Sequence, residues 1–575
     1  MTTPPDFKRR TLIKAIAASS LIPVLGSNLI ACSNSSNSTD SVSDLPANFD
    51  HGVASGDPLV DRVIIWTRVT PEEDGPVGIN WEMATDEAFT DVVASGSGTT
   101  SAEVDYTVKV DVEGLQAASV YYYRFMTINA TSPVGRTRTL PQGAVSAAAF
   151  AVVSCSNYPA GYFNVYREVA KQKVDAVLHL GDYLYEYNAT GYASELAEQL
   201  GRVVQPANEL LSLSDYRTRY ALYRTDEDLQ AAHAAHPFIV VWDDHEVAND
   251  SWENGAENHD PATEGSYVDR KMAGLRAWHE WLPVRPPSSM NDIIYRRLQF
   301  GDLLDLLMLD TRHVGRDEQN TYPDFVSGGK IDVEKARAAF NDSNRTLLGD
   351  TQLNWLRENL SQSSAQWQVL GQQVLMSRYL LPSPILEALD PALAGEDGLS
   401  AGVAAVLAAV AAKGKAPEDR TPEEQALLDS AIPYNLDAWD GYAYERDQIL
   451  EFARQLGSKL VVLAGDTHNA WTSQLTTTDG SIAGVEFGGT SVSSPGLDGI
   501  LGAGNAALFS PLVSTLVDDL KYANLVGRGY MHVAFTPSTV TTTHRFVTTI
   551  TSRDYAVDEA ATKTITVNRA DMLLS

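Results

Sequence analysis

The sequence predicts an α/β core preceded by an immunoglobulin-like β-sandwich, and three observations predict it. From about residue 147, continuous apolar runs recur at Ala149–Val153, Ala176–Leu180, Phe238–Trp242, Leu304–Leu309, Trp367–Leu370 and Lys459–Leu463. Longer helix-patterned stretches lie between them, at Tyr162–Lys173, Tyr216–His233, Met272–Trp281 and Thr351–Ser361. Runs of that kind joined by helices are strands covered on both faces. Ahead of them, residues 47–142 hold only short β-rich runs parted by Gly, Asp and Pro turns, the texture of a β-sandwich.

Each segment has its own reason. Lys8-Arg9-Arg10-Thr11-Leu12-Ile13-Lys14 is a twin-arginine pattern ahead of the apolar run Ala15–Leu25, so residues 1–31 read as an export signal rather than as part of the fold. Leu29-Ile30-Ala31-Cys32 is similar to a lipobox, which makes Cys32 the residue to be acylated, and residues 32–46 a polar tether. The expected partner of the signal is the twin-arginine export machinery, and the expected place is the periplasm or cell surface, with a lipid anchor at Cys32. In residues 47–142 the strands are expected at Val63–Thr67, Ile79–Met83, Tyr106–Val112 and Tyr121–Phe125, the last alternating ring and stem. Residues 147–575 form the second domain. Within it, residues 384–431 are Ala-rich with Gly and Pro breaks and read as a helical insertion, and residues 529–550 return to β.

With 575 residues the chain is long enough for two or more domains, and 44% hydrophobic with 20% charged residues marks a globular one. A formal charge of −31 excludes nucleic-acid binding through basic patches. Bound cations would offset part of that charge and would draw in an anionic substrate. Of the two cysteines, Cys32 sits on the tether and Cys155 behind a strand, so a separate role for each is expected and no disulfide.

The informative pattern is what closes each apolar run. Ala151-Val152-Val153 ends at Ser154-Cys155-Ser156-Asn157, and Ala176–Leu180 ends at Gly181-Asp182-Tyr183-Leu184-Tyr185. Phe238–Trp242 ends at Asp243-Asp244-His245-Glu246, and Lys459–Leu463 ends in Gly465-Asp466-Thr467-His468. Ligands of open α/β sheets bind beyond the carboxyl ends of strands, so the four tips should meet. Thiolate, carboxylate, phenolate and imidazole are all metal ligands once deprotonated. An Asp after a strand is by itself a turn residue; four such tips in order are a site. His179, one residue inside its strand, reads as a packed core histidine. Gly489-Thr490-Ser491-Val492-Ser493 lacks the spacing of a nucleophile elbow.

Gly181-Asp182-x-x-Tyr185, Asp244-His245-Glu246 and Gly465-Asp466-x-His468 resemble the calcineurin-like metallophosphoesterases in their purple acid phosphatase form. Ser154-Cys155 and Trp242-Asp243-Asp244-His245-Glu246 narrow the resemblance to the PhoD-like alkaline phosphatases. His51–Pro58 followed by Ile65-Trp66-Thr67-Arg68, and Asp437–Tyr442, are similar to further stretches of that family. The resemblance implies a metallophosphoesterase-type α/β sandwich and hydrolysis of a small phosphate ester, monoester or diester, by metal-activated water. It implies ferric iron held by Cys155, Asp182, Tyr185 and His468, with Asp182 bridging, and calcium held by Asp244 and Asp466. His245 would stabilise the phosphoryl group or protonate the leaving oxygen. Asn157 and Gln373 are candidates for touching substrate or bracing the ligands. Two alternatives stand beside this reading: a phospholipase D-like phosphodiesterase of the same family, and a ligand-binding surface lipoprotein whose metal site is only structural.

Overall fold

The computed structural model describes residues 45–286, 294–390, 393–394 and 398–574. The export signal and Cys32 therefore lie outside the described residues.

Residues 53–138 build two facing layers. One is a four-stranded antiparallel sheet in the order Val92–Thr100, Val77–Ala84, Val120–Met126, Gly135–Arg138. The other is made of Val53–Gly56, Arg62–Arg68 and Thr107–Glu113. Period-two patterning decides which side chains meet: Tyr121, Tyr123 and Phe125 point inward with Ile79, Trp81 and Met83 onto Val63, Ile65, Val108 and Val110. The second layer does not stop at the module. Val53–Gly56 pairs in parallel with Pro237–Val240, so these three strands extend a nine-stranded sheet. That sheet runs Lys563–Asn568, Thr539–Val547, Arg528–Phe535, Ala148–Val153, Ala176–His179, Pro237–Val240, and then the module's Val53–Gly56, Arg62–Arg68 and Thr107–Glu113. Gly56 stands at the joint, where a Cβ would lie 2.4 Å from the carbonyl oxygens of Phe238 and Pro283. Only glycine permits that approach.

A second sheet of seven strands runs Arg296–Phe300, Leu304–Met308, Trp367–Gly371, Leu460–Ala464, Ile482–Gly488, Ala470–Thr476, Leu520–Asn524. Its central four strands are parallel. Alternate residues of these strands go to different cores. Leu306, Val369, Val461 and Leu463 join Val153, Leu178 and Val240 of the first sheet. Leu307, Leu370 and Val462 face the helices Gly349–Gln362 and Ala443–Leu456 through Leu356, Leu360, Ile449 and Ala453. The core is thus an α/β sandwich, as the sequence predicts, preceded by a β-rich N-terminal region.

Two local differences have plain causes. The stretch Tyr216–His233 is two helices, Leu213–Tyr223 and Glu227–Ala235, because Asp226 turns its carboxylate onto the amides of Asp228 and Leu229 and starts a new helix. Helix Ala503–Leu516, which the sequence pattern does not announce, packs on the insertion helix Gly398–Lys413 through Phe509, Leu516, Val406 and Ala409. The insertion itself holds helices Ser383–Leu389, Gly398–Lys413 and Pro422–Asp429. A short ribbon of Leu380–Pro382 against Ala431–Pro433 closes its base.

Candidate metal centre

Parallel pairing sets the tips level. Val153 is opposite His179 and His179 opposite Val240, so the three loops leave the first sheet side by side. The loops then bond to one another: Cys155 N to Gly181 O at 3.2 Å, Ser156 N to Asp182 O at 2.8 Å, and Ser493 N to Cys155 O at 3.3 Å. Each tip bends sharply. Cys155, Asp182, Asp466 and His468 all have positive φ, between 54° and 65°, a conformation rare for side-chain-bearing residues and concentrated at functional sites. Glu246 braces the turn by accepting the amides of Asp182 (3.1 Å), Tyr183 (2.5 Å) and Asp243 (2.7 Å).

The tips bring three ligand groups together, in each of which one donor atom per residue lies within 4.8 Å of the others: Cys155, Asp182 and His468; Asp182, Asp244 and His245; Asp243, Asp244 and Asp466. Asp182 joins the first two groups and Asp244 the last two. Tyr185 Oη donates to Asp182 Oδ2 at 3.2 Å and lies 3.0 Å from His468 Nε2. Ser494 Oγ donates to that phenol oxygen at 2.6 Å. His468 Nδ1 is 2.7 Å from the carbonyl of Pro495. That bond fixes the ring and leaves Nε2 facing Tyr185.

The electrostatics explain what such a cluster lacks. Burial first, then Asp182, pushes the Cys155 thiol well up, and the same two causes push the Tyr185 phenol well up. Burial and the crowd of Asp244, Asp243 and Glu246 push Asp182 up as well, against the pull of His245. Asp466 is pushed up to about 8 by burial and by Asp437. Groups held protonated this way become anionic ligands when a cation is present. Asp182 Oδ1 and Asp244 Oδ1 are buried with no hydrogen-bond partner. A buried carboxylate oxygen left so is costly unless a cation takes it. The donor set fits a metal pair: thiol, phenol and imidazole on one side, carboxylates on the other.

The remaining sequence-predicted residues fall around this centre. His245 Nδ1 is 2.7 Å from Glu186 Oε2, and its ring lies 4.1 Å from that of Tyr185. Burial opposes protonation of this ring, but Asp244, Glu186 and Asp182 outweigh it and hold the imidazole charged. Asn157 is wholly buried, takes the Ser493 hydroxyl on its carbonyl at 2.8 Å, and has no partner for its side-chain amide. Gln373 Oε1 accepts from Thr311 N and Thr311 Oγ1, while its Nε2 donates to Trp242 O at 2.6 Å. Its amide is spent on tying the Asp243 tip to the second sheet. His179 is a packed histidine, 2.8 Å from Tyr166 Oη and lowered to about 3 by burial.

Sequence reasoning missed the supporting ring of Glu186, Asp437, Ser494 and Arg312. For Arg312 a signal was present. Leu304–Leu309 is an apolar run like the other four, and Asp310-Thr311-Arg312 closes it.

Comparison with known proteins agrees with this geometry. The pattern of the PhoD-like phosphatase family matches residues 150–544, and that of the PhoD-like phosphatase N-terminal domain matches residues 34–141. The chain belongs to the PhoD-like phosphatase family. It is 36% identical over 467 residues to alkaline phosphatase D of Bacillus subtilis (strain 168), which covers 78% of this chain and 70% of that one. It also superposes on the solved structure of PhoD with a TM-score of 0.73 at 31% identity, over 94% of this chain and 93% of that one. Membership of the PhoD-like family makes the chain a phosphatase-type hydrolase, and the three ligand groups are its candidate metal-binding residues. Among the described residues no helix is long and apolar enough to cross a membrane.

Proposed function

We propose that this chain is an exported, metal-dependent phosphoesterase that hydrolyses small phosphate monoesters, diesters or both, using ferric iron and calcium. The observation that supports it best is the overlap of the three ligand groups through Asp182 and Asp244. Asp182 and Asp244 each belong to two of these groups, so cations held there would be near enough to one another to serve one phosphoryl group. Cys155, Tyr185 and His468, a thiol, a phenol and an imidazole, would hold iron together with Asp182, while Asp244 and Asp466, which offer only carboxylate oxygen, would hold calcium. When bound, the cations neutralise the phosphoryl oxygens and acidify a water enough to attack near neutral pH.

The chain's own residues do the rest. Glu186 holds His245 by Nδ1, and because the surrounding acids keep the ring charged, Nε2 carries a second proton that would serve the departing alcohol oxygen. Ser494 and Pro495 hold Tyr185 and His468 in place from the opposite side. Export follows from the twin-arginine pattern at Arg9-Arg10, and a lipid anchor from Cys32.

The test is metal removal and return. Chelator-stripped protein should lose release of nitrophenol from both nitrophenyl phosphate and bis-nitrophenyl phosphate, and iron plus calcium should restore it. Full activity in stripped protein, or none after restoration with any divalent or ferric ion, would overturn the proposal.

A further inference from the structure

Arg312 is the feature the ligand assignment leaves unexplained. It closes the Leu304–Met308 strand of the second sheet, yet its guanidinium lies among acids carried by other elements, with no exposed side-chain surface. Nε donates to Asp243 Oδ1 at 2.5 Å. Nη1 donates to Asp437 Oδ1 at 2.7 Å, and Nη2 lies 2.7 Å from Asp437 Oδ2. Nη2 is also 3.4 Å from Asp466 Oδ1 and 3.6 Å from Asp244 Oδ1. Arg316, also fully buried, donates to the same Asp437 Oδ1 and to the Asp437 backbone carbonyl. Its guanidinium hydrogens are directed at carboxylates, so Arg312 acts through those acids.

Charge decides what it does there. Asp243, Asp244, Asp437 and Asp466 come from three separate segments and converge in a dry place, where any two of them that ionise repel strongly and ionisation of the set needs a neighbouring cation. Asp243, Asp244 and Asp466 form the acidic third of the metal-binding groups. The planar fork matches this arrangement: one edge takes Asp437, one nitrogen takes Asp243, and the remaining hydrogens face Asp244 and Asp466.

We propose that Arg312 is a built-in cation of the acidic half of the site, a positioning residue that holds Asp243, Asp244, Asp437 and Asp466 in place before any metal arrives. The carboxylates of the proposed calcium side are then gathered in the metal-free chain, and a divalent ion meets a formed cradle instead of having to assemble one. The inference rests on the metal reading above for its consequence, though not for the charge arrangement itself.

The experiment measures thermal unfolding of the full chain in chelator and then with millimolar calcium. In chelator, Arg312→Met should lower Tm by about 4 °C, as expected for leaving several buried acids uncompensated in a chain of this size. Arg312→Lys should lose only about half as much, because it keeps the charge without the fork. If Arg312→Met does not fold, Arg312→Met combined with Asp243→Asn and Asp437→Asn should fold, since the repulsion goes with the acids. Calcium should raise Tm more in Arg312→Met than in wild type, as the ion supplies the missing charge. An Arg312→Met Tm in chelator equal to wild type, or a loss that neither Lys nor the paired Asn changes lessen, would overturn the proposal. Calcium without effect on wild type would count against the metal reading alone, and the comparison in chelator would still decide the role of Arg312.

Discussion

Asp182 is the residue on which most of the site depends. It closes one strand, accepts Tyr185, and belongs to two of the three ligand groups, so its loss removes a candidate donor from both of those groups at once. Asp182→Asn should cut phosphate release by more than about 100-fold, with the circular-dichroism spectrum unchanged; a variant within tenfold of wild type would remove it from the bridging role. Tyr185 carries a different signature. A phenolate on ferric iron absorbs visible light by charge transfer, so concentrated iron-loaded protein should be coloured and Tyr185→Phe should shift or bleach the band. An iron-replete protein whose band ignores Tyr185→Phe would take the phenol off the ligand set. The tip that carries both residues was legible because it follows an apolar run, whereas the bridging role of Asp182 and the ligand role of Tyr185 came from the family resemblance. Glu186 and Ser494 were not legible, since what identifies them is a partner far along the chain: His245 Nδ1 and Tyr185 Oη. Asn157 and Gln373 show the limit of spacing as well, as Gln373 lies near the ligands yet its amide is taken by backbone.

At the scale of the element, the helical insertion sits closer to the chemistry than its sequence implies. Its base strand Ala431–Pro433 leads into Tyr434, and Tyr434 shares an apolar crevice with Trp471, Leu497, Val406 and Phe509. Trp471 in turn bonds the hydroxyl of Thr467, between Asp466 and His468, at 2.8 Å. The helices Gly398–Lys413 and Ala503–Leu516 form the outer wall of that crevice. Replacing residues 384–429 by a short Gly-Ser linker should therefore raise kcat/KM for a bulky diester relative to nitrophenyl phosphate, by several-fold. Equal changes on both substrates would make the insertion an outgrowth rather than a rim. The insertion's helices were legible from alanine content, but their docking partner was not, because Ala503–Leu516 carries a proline at Pro511 and little periodicity to announce a helix.

For the molecule as a whole, buried acids away from the centre set its response to pH. Glu486 lies in the second sheet and accepts Met376 N, Ser377 N at 3.0 Å and Tyr379 Oη at 3.1 Å. Burial pushes its carboxyl from 4.5 up to about 7 despite those donors. The folded chain thus holds a proton there that the unfolded chain releases near pH 4.5, so this contribution to stability is full below that pH and fades as pH rises through 7. Glu486→Gln should flatten the fall of Tm between about pH 5 and 8; an unchanged slope would show that the acid is not the source. The layered α/β core was readable from its runs, whereas the joining of the N-terminal strands to it was not. That union depends on Gly56 meeting Phe238, a contact no local pattern records. The same sheet also fixes a timetable. The Ala148–Val153 strand that leads to Cys155 is flanked by Ala176–His179 on one side and Arg528–Phe535 on the other, so one neighbour is synthesised early and the other among the last strands. A chain still short of that last strand has its cysteine strand paired on one side only. Products cut short before residue 528 should therefore bind metal at the Cys155 tip more weakly than the full chain, so the candidate site is completed only once one of the last strands has been made.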